Sequence, residues 1–366
     1  MKILLVNNDK GWSGGQEHLK DLSSQLFALG VSVHFGVREG SKSDARFREL
    51  GFPVHALPKH GLGDLIAFAR LVSLMRRERF DIVSVNREHD LFLCALAWHT
   101  AFPFKKCGKF MMSYHTATLR PQLLLGTTDA VVCISEHVKK KLLLKNGAVS
   151  PKLKIIYYGI AVGSAPPPEK FSRDRQRRFF QNTGFPLIGM VGELWKNQIE
   201  LINMMPLMRR RFPELTLALV GDNTDKNLLD PLLARIEELG LKDSVIFTGR
   251  IPRERIPDVF FDLDLSVTTH RNEGFGIVHL ESLAAGTPLV ACNEGGFVDI
   301  FQGEDVGIVV DGGQEEFSGA VTDLLQDDER RSRLGANGYD LVKRKYSLEA
   351  MGKSYLEFYR SLLAEP

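Results

Sequence analysis

The chain has 366 residues, 44% of them hydrophobic and 25% charged, with 47 Lys+Arg against 45 Asp+Glu. That is enough apolar material for about two cored domains and excludes a disordered chain. The four cysteines Cys94, Cys107, Cys133 and Cys292 form no C-x-x-C pair, which excludes a zinc ribbon or a disulfide framework and suits a reducing cytoplasm.

Lys2 to Val6 reads as a short buried strand, not as the apolar core of a secretory leader. The glycine turn Gly11-Trp12-Ser13-Gly14-Gly15 follows. Leu19, Leu22, Leu26 and Leu29 then recur at helical spacing up to Gly30, and Val31, Val33 and Phe35 alternate as a strand. This is one strand–helix–strand unit, whose crossover should be parallel and right-handed. Further strands are predicted at Asp81–Val85, Phe110–Ser113, Ala130–Ile134 and Lys154–Tyr157. The longest apolar run, Leu91 to Phe104, is 14 residues and is too short to span a bilayer, so a soluble protein is expected. Gly163-Ser164-Ala165-Pro166-Pro167-Pro168 breaks the pattern, and residues 161–185 read as a linker. A second α/β series follows, with strands at Leu187–Val191, Thr216–Val220, Val245–Thr248, Leu265–Thr268, Leu289–Ala291 and Val306–Val310. Helices are predicted at Glu200–Arg211, Leu228–Leu239 and Ile277–Ala285, and the tail from Asp327 to Leu363 reads as helix only.

Met1 to Ile160 carries 23 Lys+Arg against 13 Asp+Glu, whereas the remainder carries 24 against 32. A basic half joined to an acidic half points to an anionic partner for the first. Its clusters are Arg76-Arg77-Arg79, Lys105-Lys106-Lys109 and Lys139-Lys140-Lys141-Lys145. No zinc-finger or aromatic-interleaved pattern accompanies them, so nucleic acid is not expected. An anionic membrane surface or a phosphorylated acceptor fits better.

The chemistry concentrates in residues 268–300, TTHRNEGFGIVHLESLAAGTPLVACNEGGFVDI. A strand ends near Thr268, the loop Glu273-Gly274-Phe275-Gly276 follows, and a helix opens at Ile277. First-turn amides have no internal partners, and glycines let an anion approach them. Glu273 and Glu281 flank that anion seat, with amides for phosphates and carboxylates for hydroxyls, which suits a sugar nucleotide. Asp262-Leu263-Asp264 imitates a metal-binding D-x-D but enters a strand, so its expected role is structural. His270 with Glu273 lacks further ligands, so no metal is expected.

This segment resembles the donor-binding signature of the GT-B glycosyltransferases, in particular the retaining family 4 (glycosyl transferases group 1). V-V-C-I-S-E-H-V, K-I-I-Y-Y-G-I, V-I-F-T-G-R-I and the N-terminal Gly14-Gly15-Gln16-Glu17 resemble further motifs of that family. The resemblance implies an α/β GT-B fold with two Rossmann-like domains facing across a cleft. It implies an acceptor-binding domain at 1–165, a nucleotide-sugar domain at 186–345, and a C-terminal helix at 346–366 crossing back to the first.

Residue by residue, it implies that Glu281 holds the ribose hydroxyls, and that Glu273 with the Gly274, Phe275, Gly276 and Ile277 backbone holds the donor sugar and diphosphate. It places Lys196 on the departing diphosphate, His115 beside the reacting sugar, Gly14 and Gly15 opposite the phosphates, and Arg250 and Ile251 at the nucleobase. His115, Lys196 and Glu273 are the implied catalytic residues. Where the family commonly has Arg, this chain has Glu193, and Arg271 is the nearest alternative cation. No metal or other cofactor is implied, and the donor is a nucleoside-diphosphate sugar, UDP-linked by default. The acceptor would be an envelope glycolipid or polysaccharide such as a lipopolysaccharide core, and the place of action the cytoplasm or the cytoplasmic face of the inner membrane. A nucleotide-sugar epimerase on the same fold and a catalytically silent nucleotide-sugar binding protein are the alternatives.

Overall fold

A computed structural model describes residues 1–12, 14–58, 64–103, 107–116, 124–147, 152–166 and 168–365. Ser13, Lys105, Lys106 and Pro167, which entered the readings above, lie outside the described residues. The chain divides into two units, Met1–Gly159 with Leu348–Pro366, and Ile160–Ser347.

In the first unit the elements are β1 (Lys2–Asn7), α1 (Gly14–Ala28), β2 (Ser32–Arg38), α2 (Lys42–Glu49), β3 (Val54–Leu57), α3 (Asp64–Glu78), β4 (Ile82–Val85), α4 (Glu88–Ala101), β5 (Lys109–Tyr114), β6 (Ala130–Cys133), α5 (Glu136–Asn146) and β7 (Lys152–Ile155). The strands form one parallel sheet in the order β3-β2-β1-β4-β5-β6-β7. Buried on both faces, β1 and β6 carry continuous apolar runs, and β4 is apolar except for the buried Ser84. The edge strand β3 lacks such a run. Val54, His55 and Ala56 are half-buried, which is why no strand is predicted there. Its outward carbonyls are covered by arginines, Arg48 donating to Val54 O at 3.3 Å and Arg70 to Ala56 O at 3.1 Å, which blocks further strand addition.

The second unit runs β8 (Leu187–Val191), α6 (Gln198–Arg209), β9 (Thr216–Val220), α7 (Lys226–Glu238), β10 (Val245–Phe247), α8 (Ile256–Asp262), β11 (Leu265–Thr268), α9 (Ile277–Ala284), β12 (Leu289–Cys292), α10 (Val298–Phe301), β13 (Gly307–Val310), α11 (Gln314–Gln326) and α12 (Asp328–Lys345). Its parallel sheet has the order β10-β9-β8-β11-β12-β13. In each sheet the order reverses once, between β1 and β4 and between β8 and β11. Ligands of such sheets gather at the strand carboxyl ends beside that reversal.

Two segments differ from the sequence reading. Residues 161–185 belong to the second unit, because two buried carboxylates of the D-x-D segment hold them. Asp262 accepts from the amides of Arg178 at 2.7 Å, Phe179 at 2.6 Å and Phe180 at 2.7 Å. Asp264 pairs with Arg175 at 2.7 Å and Arg177 at 3.0 Å. The tail is not one helix: after α12 the chain breaks at Tyr346-Ser347, and α13 (Leu348–Ala364) belongs to the first unit, as the resemblance implies for the C-terminal helix. Its apolar stripe Met351, Tyr355, Leu356, Tyr359 and Leu362 is buried in one core with Leu19, Leu22 and Leu26 of α1. Among the described residues no helix is long and apolar enough to cross a membrane.

Candidate functional site

The loops leaving β8 and β11 meet at the reversal point of the second sheet. The first, Gly192 to Asn197, is shaped by one carbonyl: Glu193 O accepts from Lys196 N at 3.1 Å and from Gln198 Nε2 at 2.7 Å. Thr269 Oγ1 donates to Asn197 O at 2.9 Å and joins it to the second loop. Lys196 and Glu273 form a half-buried ion pair at 2.5 Å. Burial raises the Glu273 carboxyl, but the Lys196 ammonium, with His279 and His270, outweighs it and holds the group below the usual carboxylate range.

Gly276 precedes α9 in the left-handed region at φ +85°, so close to Glu273 that an added Cβ would lie 3.2 Å from Glu273 Cγ. The floor of this turn is His279, buried against Phe297 with ring centroids 4.9 Å apart. Burial lowers its pKa to about 4, so the ring is neutral at pH 7 and leaves the positive charge here to Lys196. The Phe275 side chain is buried 5.8 Å from the Tyr346 ring, so only its backbone can face a ligand. Helix α9 is set by close packing with α12, where a Cβ on Gly338 would meet Leu283 Cδ2 at 2.9 Å.

One turn on, Glu281 faces a cavity of about 460 Å³ bounded by Arg178, Arg253, Pro257, Phe261 and Ala285. Burial raises its pKa, only partly offset by Arg253, and no hydrogen bond within the described residues stabilises the carboxylate. The Arg178 guanidinium stacks 3.5 Å from the Phe261 ring centroid on the cavity wall. Arg250, beside Asp222, and the half-buried Ile251 lead into the turn that presents Arg253.

Glu193 is exposed. Both terminal nitrogens of Arg271, the alternative cation, are held by Glu200, at 2.7 and 2.9 Å. Thus Lys196, Glu273 and Gly276 are brought together, and Glu281 opens on the cavity. His279, Trp195 and the Arg178–Phe261 wall were not singled out from the sequence. Only His279 had a signal there, three residues beyond Gly276. Trp195 is 58% exposed, edge-on to His270 at 5.3 Å.

In the first unit, Gly14 and Gly15 open α1 with free space around each Cα. His115 follows β5 and is tied at both ring nitrogens, Nδ1 to Tyr158 Oη at 2.9 Å and Nε2 to Asn86 Oδ1 at 3.3 Å. The buried His18 ring of α1 lies 5.0 Å from it, tilted by 51°. Of the basic clusters, Arg76 donates to Thr100 O at 2.8 Å, Arg77 pairs with Glu78 at 2.9 Å and Lys139 with Glu136 at 3.2 Å. Lys140 and Lys145 are exposed.

Residues 12–163 match the model of "Glycosyltransferase Family 4", and residues 172–341 that of "Glycosyl transferases group 1". The chain is 28% identical over 244 residues to the GDP-mannose-dependent α-(1-6)-phosphatidylinositol monomannoside mannosyltransferase of Mycobacterium tuberculosis, a match covering 64% of this chain and 62% of that protein. It is 24% identical over 399 residues to the D-inositol 3-phosphate glycosyltransferase of Corynebacterium urealyticum, covering 97% and 92%. Among solved structures, Anabaena HepE in complex with UDP superposes with a TM-score of 0.80 at 21% identity, over 99% of this chain and 100% of that one. Two parallel sheets of this order, the loop pair at the second reversal point and adjoining family matches over most of the chain agree: the chain belongs to the GT-B glycosyltransferases of family 4.

Proposed function

We propose that the chain is a retaining glycosyltransferase that moves a sugar from a nucleoside-diphosphate sugar to a hydroxyl of a phosphorylated or membrane-borne glycolipid acceptor, with no metal ion. The observation that carries this reading is the left-handed Gly276 turn, which sets the start of α9 between Glu273, paired with Lys196, and Glu281, open on a cavity. In this reading the α9 amides and Lys196 take the diphosphate, and Glu273, released from Lys196, takes sugar hydroxyls. Glu281 takes the ribose. Its desolvated carboxylate is stabilised when two hydroxyls donate to it.

Departure of the nucleoside diphosphate leaves an oxocarbenium-like sugar. The acceptor hydroxyl attacks from the face the diphosphate left, and the departing phosphate takes its proton. The protein's share is positioning and charge stabilisation. Relatives named for GDP-mannose, phosphatidylinositol mannoside and inositol phosphate support a nucleotide-sugar donor and a phosphorylated acceptor. The basic Met1–Ile160 half supports an acceptor or surface that is anionic. A lipopolysaccharide core is one acceptor of this description, and the cytoplasmic face of the inner membrane is where such acceptors are met.

The test has two arms. A thermal-shift panel of UDP, GDP, ADP and TDP sugars identifies the donor, since a ligand of the folded state alone raises the melting temperature. With that donor, Lys196→Ala should turn over on the order of 10²–10³ more slowly. Near wild-type turnover would remove Lys196 from the mechanism, and a panel without any shift would overturn the donor reading.

A further inference from the structure

His115 sits in a hydrogen-bond chain whose direction is fixed by its far end. Asn86 follows β4 and His115 follows the neighbouring β5, so both emerge at the carboxyl edge of the first sheet. The carbonyl of Ser84 can only accept, so the Asn86 atom 3.0 Å from it is the amide nitrogen. The Asn86 carbonyl oxygen therefore faces His115 Nε2, and because that oxygen cannot donate, the ring proton sits on Nε2. Nδ1 then carries the lone pair, and the Tyr158 hydroxyl 2.9 Å away donates to it.

The surroundings keep the ring uncharged. Burial lowers the His115 pKa to about 4, the Tyr158 ring lies nearly parallel to it at 5.8 Å, and the His18 ring closes the other side. His18 is itself buried and is lowered by burial and by its proximity to His115.

We infer that Asn86 and Tyr158 are positioning residues that hold His115 as a neutral Nε2–H donor, so that the ring offers an incoming sugar a hydrogen-bond donor and no base. This rests on the reading above, in which His115 meets the reacting sugar. At 3.3 Å the bond to Asn86 is long for N–H···O, so this hydrogen can be shared with, or passed to, a better-placed oxygen. The only lone pair is engaged by Tyr158, so His115 does not deprotonate the acceptor. An uncharged ring also gives a phosphate no ionic partner. The ligand group matched to His115 is a neutral sugar hydroxyl.

The experiment is long-range ¹H–¹⁵N correlation on the full chain labelled with ¹⁵N-histidine, with His115→Gln assigning the resonances. The expected wild-type pattern is Nε2 protonated and Nδ1 bare from pH 8 to pH 5. Tyr158→Phe should mix the two tautomers and lower kcat about tenfold, the worth of one hydrogen bond, with donor KM nearly unchanged. Asn86→Asp keeps an acceptor but adds a charge, and should raise the His115 titration by about one unit or more and carry the acid limb of the rate profile with it. A protonated Nδ1 in the wild type, or ring shifts unmoved in both variants, would overturn the inference. If His115→Ala keeps wild-type turnover, the catalytic reading of His115 falls, while the ring-nitrogen shifts still decide whether Asn86 and Tyr158 set the tautomer.

Discussion

Gly276→Ala is the sharpest probe of the anion seat, because two separable costs meet at one atom. The left-handed backbone at φ +85° costs an L-residue about 1–2 kcal/mol. The added Cβ would also lie 2.4 Å from His279 Cδ2 and 3.2 Å from Glu273 Cγ. Neither neighbour yields easily, since the His279 ring is buried against Phe297 and Glu273 is held by Lys196. Overpacking of this kind adds roughly 1–3 kcal/mol. Gly303→Ala is the matched control, at φ +74° with open space around its Cβ, so it reports backbone strain alone. The expected result is a loss of about 1–2 kcal/mol for Gly303→Ala and about 2–5 kcal/mol for Gly276→Ala in chemical denaturation of the full chain. Only the second should also abolish the thermal shift given by the donor. If both variants lose the same stability and both still bind the donor, the turn does not aim the α9 amides.

Glu281→Gln should raise the melting temperature at pH 7 while weakening donor binding. Burial raises this carboxyl's pKa, so its folded-state cost is absent below the unfolded pKa and grows as pH rises through the folded one. A lower melting temperature for the glutamine variant would contradict this. Asp262→Ala removes the acceptor of three backbone amides from a fully buried site, and at roughly 1–3 kcal/mol per orphaned group should cost several kcal/mol by denaturant titration; a loss under about 1 kcal/mol would mean that residues 178–180 are held by other contacts. The His34–His55 pair, its ring nitrogens 3.0 Å apart, should make the first unit acid-sensitive. Burial lowers both pKa values, so the stability they carry is present above the unfolded pKa of about 6.5 and lost as pH falls below it. His55→Gln should flatten the loss of stability between pH 7 and pH 5, and an unchanged slope would exclude the pair.

Much of the fold is legible in the chain because doubly buried parallel strands leave unbroken apolar runs. Leu4-Leu5-Val6, Val131-Val132 and Leu289-Val290 could be found without knowing their partners. β3 could not, since an edge strand of four residues keeps only Leu57 fully buried. The donor loop was legible for a related reason. An anion seat needs glycine before a helix and acids at helical spacing, and these are local in sequence. Arg271 illustrates the limit. Its proximity to Glu273 suggested a phosphate ligand, but its partner Glu200 lies 71 residues away in the chain.

The sequence by itself determined two α/β series and the glycine turn before Ile277 with Glu273 and Glu281 on either side of it, because these depend on short-range periodicity and spacing; Lys196, 77 residues from Glu273, was joined to them by the family resemblance. Tertiary structure alone decided that residues 161–185 join the second unit, that the helical tail breaks at Tyr346-Ser347, and that His115 is a tied, neutral ring. Each of these is set by contacts between residues far apart in the chain, such as Asp262 with Phe180, Tyr355 with the α1 core and Asn86 with His115. The direction of a hydrogen bond or the charge of a buried group exists only once such partners have been brought together.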